Sequence, residues 1–300
     1  MMGWRNIFIS SPVKLNLVQN QLRITKEGEE LDVPLEDIAV IVVECLQTFF
    51  TGQLISELAQ RGIAFLICDR THLPCGELLS YHQHSRMSKS FLLQINASEP
   101  FRKNCWRLIV RRKILNQARC LDLLWLQEGD TLRRLAATVK SGDPENRESQ
   151  AAQIYFSQIL PNSTRRIPSP VNDALNYGYS IFRGAVARAL AAHGFLPALG
   201  IHHRNELNHF NLADDFIETL RPLVDLWVST NVGPGEPFVP AHRQSLVSLL
   251  TSNLLINGER QTVLRCTEIM IAAFLKACKE KNPSLLELPE LLPFSEHAYE

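Results

Sequence analysis

No apolar run in this chain approaches the roughly 18 residues that a membrane-spanning helix needs; the strongest, Ile38 to Val43, has the length of a strand. The opening residues, MMGWRNIFIS, lack the charged-then-apolar layout of a signal peptide, so export is not expected. A disulfide framework is missing too. Seven cysteines, an odd number scattered from Cys45 to Cys278, point instead to a reducing cytoplasm. Net charge is absent as well: 31 basic residues balance 31 acidic ones, which argues against a nonspecific polyanion binder. Neither an internal repeat nor a low-complexity segment is present. What remains is 300 residues, 45% hydrophobic and 21% charged, the balance of a soluble globular protein with one large or two ordinary domains.

Charge is unevenly placed. From Phe101 to Cys120 the basic residues Arg102, Lys103, Arg107, Arg111, Arg112, Lys113 and Arg119 occur with no acidic one, whereas the last twenty residues carry Glu287, Glu290, Glu296 and Glu300 against Lys281. A basic helix on a neutral protein is compatible with a confined phosphate-binding surface, and also with an ordinary solvated face.

The amino-terminal part reads as strands: Trp4 to Ser11, Val13 to Leu17, Leu22 to Ile24 after a Gln-Asn-Gln turn, and Ile38 to Val43 after a polar turn at Lys26 to Glu30. Thr51 to Arg61 has helical spacing and Gly62 stops it; Ile63 to Ile67 and Glu77 to Tyr81 complete the strands. Strand, helix, strand suggests a mixed sheet with one crossover helix. Beyond about Ser88 the period becomes helical, over Asn104–Leu126, Asp130–Lys140, Arg147–Leu160, Asn172–His193, Asn211–Val228, Gln244–Leu255 and Thr262–Lys279. The expected fold class is therefore α+β: a mainly-β domain over residues 1–88, then an all-α domain over residues 89–300. Breaks fall at Ser141 to Pro144, Pro161 to Pro170 and Gly233 to Pro237.

The chemistry concentrates in the segment GIHHRNELNHFNLADDFIETLRPLVD, Gly200 to Asp225, which holds His202, His203, His209, Asp214, Asp215 and Glu218. Imidazole plus carboxylate binds a divalent metal and presents it to a substrate oxygen. Asp215 and Glu218, three apart, share a helical face on a helix that Asn211 could cap, and their like charges call for a counter-cation. Upstream, Glu148 stands in the first turn of a helix after Asp143 and Pro144, followed by Ala151 and Ala152, where a close helix contact could form. A plain first-turn carboxylate explains Glu148 taken alone. Joined with His203 and Glu218 it supplies two oxygens and one nitrogen, a set that suits Mg²⁺ or Mn²⁺. His202-His203-Arg204-Asn205-Glu206 lacks the HExxH spacing of zinc proteases.

Several other groups carry less. His209, with Asn208 and Asn211, fits a hydrogen-bonding role at the start of a helix. Asn172, Tyr177 and Tyr179 either face the site or DNA, or are buried with satisfied hydroxyls, the commoner arrangement. Cys68, His72, Cys75, His82 and His84 match no standard zinc spacing. Arg86 and Lys89 fit a polar linker as well as a DNA backbone.

The runs NRESQAAQIYF and SPVNDALNYGYSIFRGAVARALAAHGFLPALGIHHRNELNHFNLADDFIETLRPLVD, with the strand-then-helix order, resemble the universal CRISPR adaptation endonuclease. This is the first-numbered CRISPR-associated protein, the integrase that inserts new spacers. The resemblance spans essentially the whole chain and is greatest to the form found beside type II systems, where Glu replaces Asp as the last metal ligand. It implies a metal site of Glu148, His203 and Glu218, which are also the catalytic residues, with Asp215 a secondary acidic position. His203 rather than His202 follows from the spacing to Glu218, 218 − 203 = 15.

The implied activity is metal-dependent endonuclease and strand transfer, in which the 3′-hydroxyl of a captured fragment attacks a phosphodiester of the CRISPR repeat array. The implied cofactor is Mg²⁺ or Mn²⁺. The implied partners are DNA, a second copy of the chain joined through the sheet domain, and a small ferredoxin-like adaptation protein whose dimer is flanked by two such homodimers. Arg102, Lys103, Arg107, Arg111, Arg112 and Lys113 are the candidates for DNA-backbone contact. Two other classes remain open, a non-catalytic DNA-binding scaffold and a metal-dependent phosphohydrolase of small nucleotides.

Overall fold

The computed structural model describes residues 5–78, 87–160, 164, 165 and 167–294. The chain begins with strand β1 (Arg5–Ile9), then β2 (Lys14–Val18), β3 (Gln21–Lys26), β4 (Glu29–Pro34), β5 (Ile38–Val43), the short β6 (Phe49–Phe50), helix α1 (Gly52–Arg61), β7 (Ala64–Cys68) and β8 (Pro74–Glu77). Strands β1, β5 and β7 are parallel and β8 closes the sheet antiparallel, in the order β1-β5-β7-β8. This is the expected mixed sheet, and α1 is its crossover helix. Thr51 caps α1 by accepting from the Leu54 amide at 3.3 Å, and Gly62 ends it at φ 65°. The expectation of a single sheet is corrected. Residues 29–34 leave the turn at Glu27 and Gly28 (φ 50° and 91°) and pair back on β3, so a second sheet forms in the order β4-β3-β2-β6. Most of β4 is exposed and charged, so it lacks the alternation that betrays a strand. Tyr81, His82, His84 and Arg86 lie outside the described residues.

The helices follow: α2 (Met87–Ile95), α3 (Glu99–Leu123), α4 (Gly129–Ala137), α5 (Arg147–Ile159), α6 (Pro170–Ala192), α7 (Asn211–Ile217), α8 (Arg221–Asn231), α9 (Pro240–Ser248) and α10 (Val263–Glu280). No helix among the described residues is long and apolar enough to cross a membrane. Helix α2, whose first turn contains Ser88, was not expected. Between α9 and α10 the chain makes a hairpin, β9 (Asn253–Ile256) and β10 (Glu259–Thr262), so the helical region is not all-α. The signal was Asn257-Gly258, with φ of 54° and 80°, the pair that a two-residue hairpin turn requires. The expected single helix over Asn211–Val228 is two. Pro222 has no amide hydrogen and its ring would strike the carbonyl of residue 218, so α7 stops and α8 starts anew with the proline in its first turn.

Two cores meet at the first sheet. Val40, Val42, Ala64, Leu66 and Cys68 pack with the helices, whereas Ile41, Val43 and Phe65 pack with Leu15, Leu22, Leu54 and Leu58. Helix α3 runs through the helical core, with Trp106, Ile109, Val110, Ile114, Ala118 and Leu121 buried. It is this helix against which the functional segments are laid.

Candidate metal centre

Glu148 is presented by the first turn of α5. Asn146, at φ 52°, caps the helix by accepting from the Ser149 amide, and Asp143 accepts from the amides of Arg147 and Glu148, both at 2.9 Å. Ala151 is fully buried where α5 crosses α3. Glu218 sits just past α7 and is 3% exposed, and its position one residue after the helix results from the break before Pro222. Lys113, from the middle of α3, stands between them. Its Nζ lies 2.6 Å from Glu148 Oε1 and 2.5 Å from Glu218 Oε2. Arg221 completes the enclosure, with Nη2 at 3.2 Å from Glu218 Oε1 and its guanidinium over the ring of Tyr179.

His203 is delivered by the loop before α7, which Asp215 organises. Asp215 is fully buried. Its Oδ2 accepts from the amides of Ile201 (2.6 Å) and His202 (3.2 Å), and its Oδ1 from the His203 amide (3.1 Å) and Nδ1 (2.8 Å). An ionised carboxylate only accepts, so Nδ1 carries the proton and Nε2 is the atom left to bind a ligand. Both carboxylate oxygens of Asp215 are thus committed to orienting the loop and its imidazole, the arrangement of an outer carboxylate behind a metal-bound histidine. Gly200 permits the approach: a Cβ there would lie 2.3 Å from the His203 carbonyl and 2.9 Å from Asp215 Oδ2.

The neighbouring histidines are used differently. The His202 ring stacks flat on Trp106, with centroids 4.0 Å apart and planes within 3°, which gives it a packing role. His209 is exposed, and Asn208 and Asn211 do the bonding around it. Asn208 donates to Asp214 at 2.6 Å, and Asn211 donates to the carbonyls of Ala198, Asn205 and Asn208. Asn211 is therefore the first residue of α7 and a tie for the preceding loop; the expected side-chain cap is not made, and Phe210 occupies that position.

The charges shift one another. Burial by itself would lower the Lys113 ammonium, but the carboxylates of Glu218 and Glu148 outweigh it and hold it above its ordinary value. Burial would likewise raise Glu218, yet Arg221 and Lys113 pull it below the usual carboxylate range. The hydrogen bond that His203 donates to Asp215 raises the imidazole above its ordinary value, against burial. Burial lowers His202.

Glu148 and Glu218, from separate helices, thus converge on one cation position, and His203 lies within electrostatic reach of Glu218. Among the described residues no three His, Cys, Asp or Glu side chains stand close enough to hold an ion as they are, and the Lys113 ammonium lies between Glu148 and Glu218. Two observations nevertheless fit a divalent cation. The donors are hard oxygens plus one oriented imidazole. Glu218 Oε2 is buried and lacks a hydrogen-bond partner, since Lys113 contacts it by charge without the alignment a hydrogen bond needs.

The basic helix is less of a DNA face than expected. Lys113 is 7% exposed and spends its ammonium on Glu148 and Glu218 inside the site. Its apolar neighbours Val110 and Ile114 were the sign that the position faces inward. Lys103 pairs with Glu99 at 2.8 Å and Arg112 with Glu290 at 2.9 Å. Arg102 and Arg107 are half-buried, and Arg111 is exposed. Sequence reasoning missed Arg221, although its three-residue spacing from Glu218 was available, and Trp106, which nothing in the pattern linked to His202. Asn172 ties the turn before α6 and Tyr179 donates to Asp225, but the Tyr177 hydroxyl is buried without a partner. Cys68 is buried, Cys75 exposed, and no zinc set forms among the described residues. Lys89 is exposed on α2.

Comparison with known proteins gives the family and the fold. Residues 7–236 match the family described as CRISPR associated protein Cas1. The chain is 45% identical over its full length, and over the full length of the relative, to the CRISPR-associated endonuclease Cas1 of Neisseria meningitidis serogroup C (strain 8013). A second relative, CRISPR-associated endonuclease Cas1 1 of Pyrobaculum aerophilum, is 32% identical across 41% of this chain and 47% of its own. Three solved structures share the fold. A casposase bound to integration product has a TM-score of 0.74 at 16% identity, covering 93% of this chain and 91% of its own. A Cas1 protein from Thermotoga maritima has 0.69 at 16% identity, covering 92% and 97%. A chain of a Cas6-RT-Cas1–Cas2 complex has 0.72 at 21% identity, covering 97% of this chain and 36% of its own. With its strand-then-helix order and two acidic side chains meeting beside an oriented histidine, the chain belongs to the CRISPR-associated Cas1 family.

Proposed function

We propose that this protein is a metal-dependent DNA endonuclease and integrase of CRISPR adaptation, acting at Glu148, His203 and Glu218. The observation that carries the reading is the meeting of Glu148 and Glu218 around one cation position, beside a histidine whose Nδ1 is locked by Asp215. Glu148, Glu218 and His203 Nε2 would hold Mg²⁺ or Mn²⁺, which when bound supplies charge neutralisation at a phosphoryl oxygen and orients a 3′-hydroxyl. The chain's own residues do the rest. Asp215 keeps Nε2 turned into the site, Arg221 holds Glu218 ionised, and Trp106 with His202 walls one side. Arg102, Arg107 and Arg111 remain the backbone-contact candidates on α3.

The reading extends to partners. The exposed Phe49 (73%), Leu31 (60%) and Leu46 (58%), on or beside the β4-β3-β2-β6 sheet, support a homodimer joined through the strand-rich part. The relative in a Cas1–Cas2 complex supports a small second adaptation protein as a further partner. We retain the division at residues 1–88 and 89–300, and a cytoplasmic location, as parts of the proposal.

A strand-transfer assay tests the activity, using short duplexes, a supercoiled repeat-containing target, and Mg²⁺, Mn²⁺ or chelator. Wild type should join fragments only with metal. His203→Ala should lose the activity and His202→Ala should keep most of it. Transfer that survives both chelation and His203→Ala would end the reading.

A further inference from the structure

We propose that Lys113 is a built-in counter-cation that holds Glu148 and Glu218 together in the metal-free protein and gives up its place when a divalent ion binds. The inference rests on the metal-dependent reading above. Two carboxylates from separate helices face one another here, and Glu218 is 3% exposed. Without a cation between them their repulsion in a poorly screened interior would drive α5 and the α7–α8 junction apart. The Lys113 ammonium, 7% exposed and within 2.6 Å of both, prevents that. It does so incompletely. Between the carboxylates stands a single positive charge, Arg221 reaching only the other oxygen of Glu218, and Glu218 Oε2 is left without an aligned donor.

A divalent ion bound by the same oxygens at about 2.0–2.2 Å would need the volume in which Nζ now sits. Ammonium and metal therefore exclude one another, and loading the site is an exchange of cations. Lysine suits the exchange, since it is a compact charge on a flexible four-carbon stem that can swing aside, where a guanidinium would grip both carboxylates in a rigid fork. Arg221, over Tyr179 on the other side of Glu218, stays in place and continues to hold that carboxylate.

The test is Mn²⁺ binding by the full-length protein, read from the electron paramagnetic resonance signal of free Mn²⁺ and from melting with chelator or saturating Mn²⁺. Lys113→Met should bind Mn²⁺ about tenfold more tightly or better, the scale of removing one competing unit charge. Its metal-free form should melt below wild type, and the gap should narrow with Mn²⁺. Unchanged or weaker Mn²⁺ affinity in Lys113→Met overturns the proposal. If that variant does not fold, Lys113→Arg decides: affinity falling by about threefold or more supports the exchange, and equal or tighter binding refutes it. Glu148→Gln separates the two levels. If wild type binds no Mn²⁺, or Glu148→Gln binds it equally well, the metal-dependent reading itself fails and this inference falls with it.

Discussion

Asp215→Asn is the substitution that most directly tests how the histidine is presented. The side chain keeps its shape, but one of its two acceptor oxygens becomes a donor. At present those oxygens receive four N–H groups, those of Ile201 and His202 on one and the amide and Nδ1 of His203 on the other. If the amide nitrogen faces Ile201 and His202, two donors in a buried pocket lose their acceptor, at about 1–3 kcal/mol each. If it faces His203, one backbone donor is orphaned and the imidazole must change tautomer, so that Nδ1 accepts and Nε2 carries the proton. The second orientation costs less, about 1–3 kcal/mol, and it turns a proton toward the metal position. We expect an unfolding free energy from urea titration lowered by that amount, Mn²⁺ affinity reduced about 10- to 100-fold, and nitrogen chemical shifts that report the Nε2–H form. Wild-type stability together with an unchanged Nδ1–H tautomer would show that Asp215 does not set the ring.

Two further outcomes follow from neighbouring geometry. Gly200→Ala places a methyl 2.3 Å from the His203 carbonyl, so the loop must move; Mn²⁺ binding should drop by an order of magnitude or more while helix content by circular dichroism is kept. Asp225 accepts from Tyr155 at 2.9 Å and from Tyr179, yet burial pushes its carboxyl from 3.8 up to about 6, against those bonds and the nearby Arg165 and Arg221. Because the folded value is the higher one, this group's stabilisation is complete below about pH 3.8 and is lost as pH rises through about 6, a change of about 3 kcal/mol. Asp225→Asn should flatten that slope, and urea melts at pH 5 and 7.5 that fall equally in both proteins would refute it.

What the sequence discloses follows from how local each signal is. Ile38 to Val43 is legible because a strand covered on both faces must be apolar at every position, and Gly62 because only a left-handed residue ends α1 there. The hairpin at Asn257-Gly258 and the break at Pro222 were equally local, and long helical periodicity hid them. The site divides in the same way. The crowding of His203, Asp215 and Glu218 is visible within one segment. That Asp215 spends both oxygens on the loop is a matter of folding within that segment, whereas the place of Lys113 between Glu148 and Glu218 depends on packing across 35 and 105 residues of chain (148 − 113 and 218 − 113), which no window of sequence contains. The like charges of Asp215 and Glu218 called for a counter-cation; the fold instead satisfies Asp215 with loop N–H groups and sets Lys113, from the helix whose charge pattern had suggested an outward face, between Glu218 and Glu148.

Strand β5 separates two interiors with the thickness of a single sheet, its even-numbered valines turned one way and Ile41 with Val43 the other. The strand-rich part therefore has an interior of its own, whereas the helical interior is completed by residues of the sheet. Severing the chain after Ser88 would strip cover from Val40, Val42, Ala64, Leu66 and Cys68, each worth about 1.5–3 kcal/mol of burial for the larger side chains. Pressure applied to the outer sheet, where Phe49 and Phe50 protrude, has only a few layers of close-packed side chains to cross before it reaches α6. A partner docked on the strand-rich face would bear on the helices behind it through one close-packed sheet.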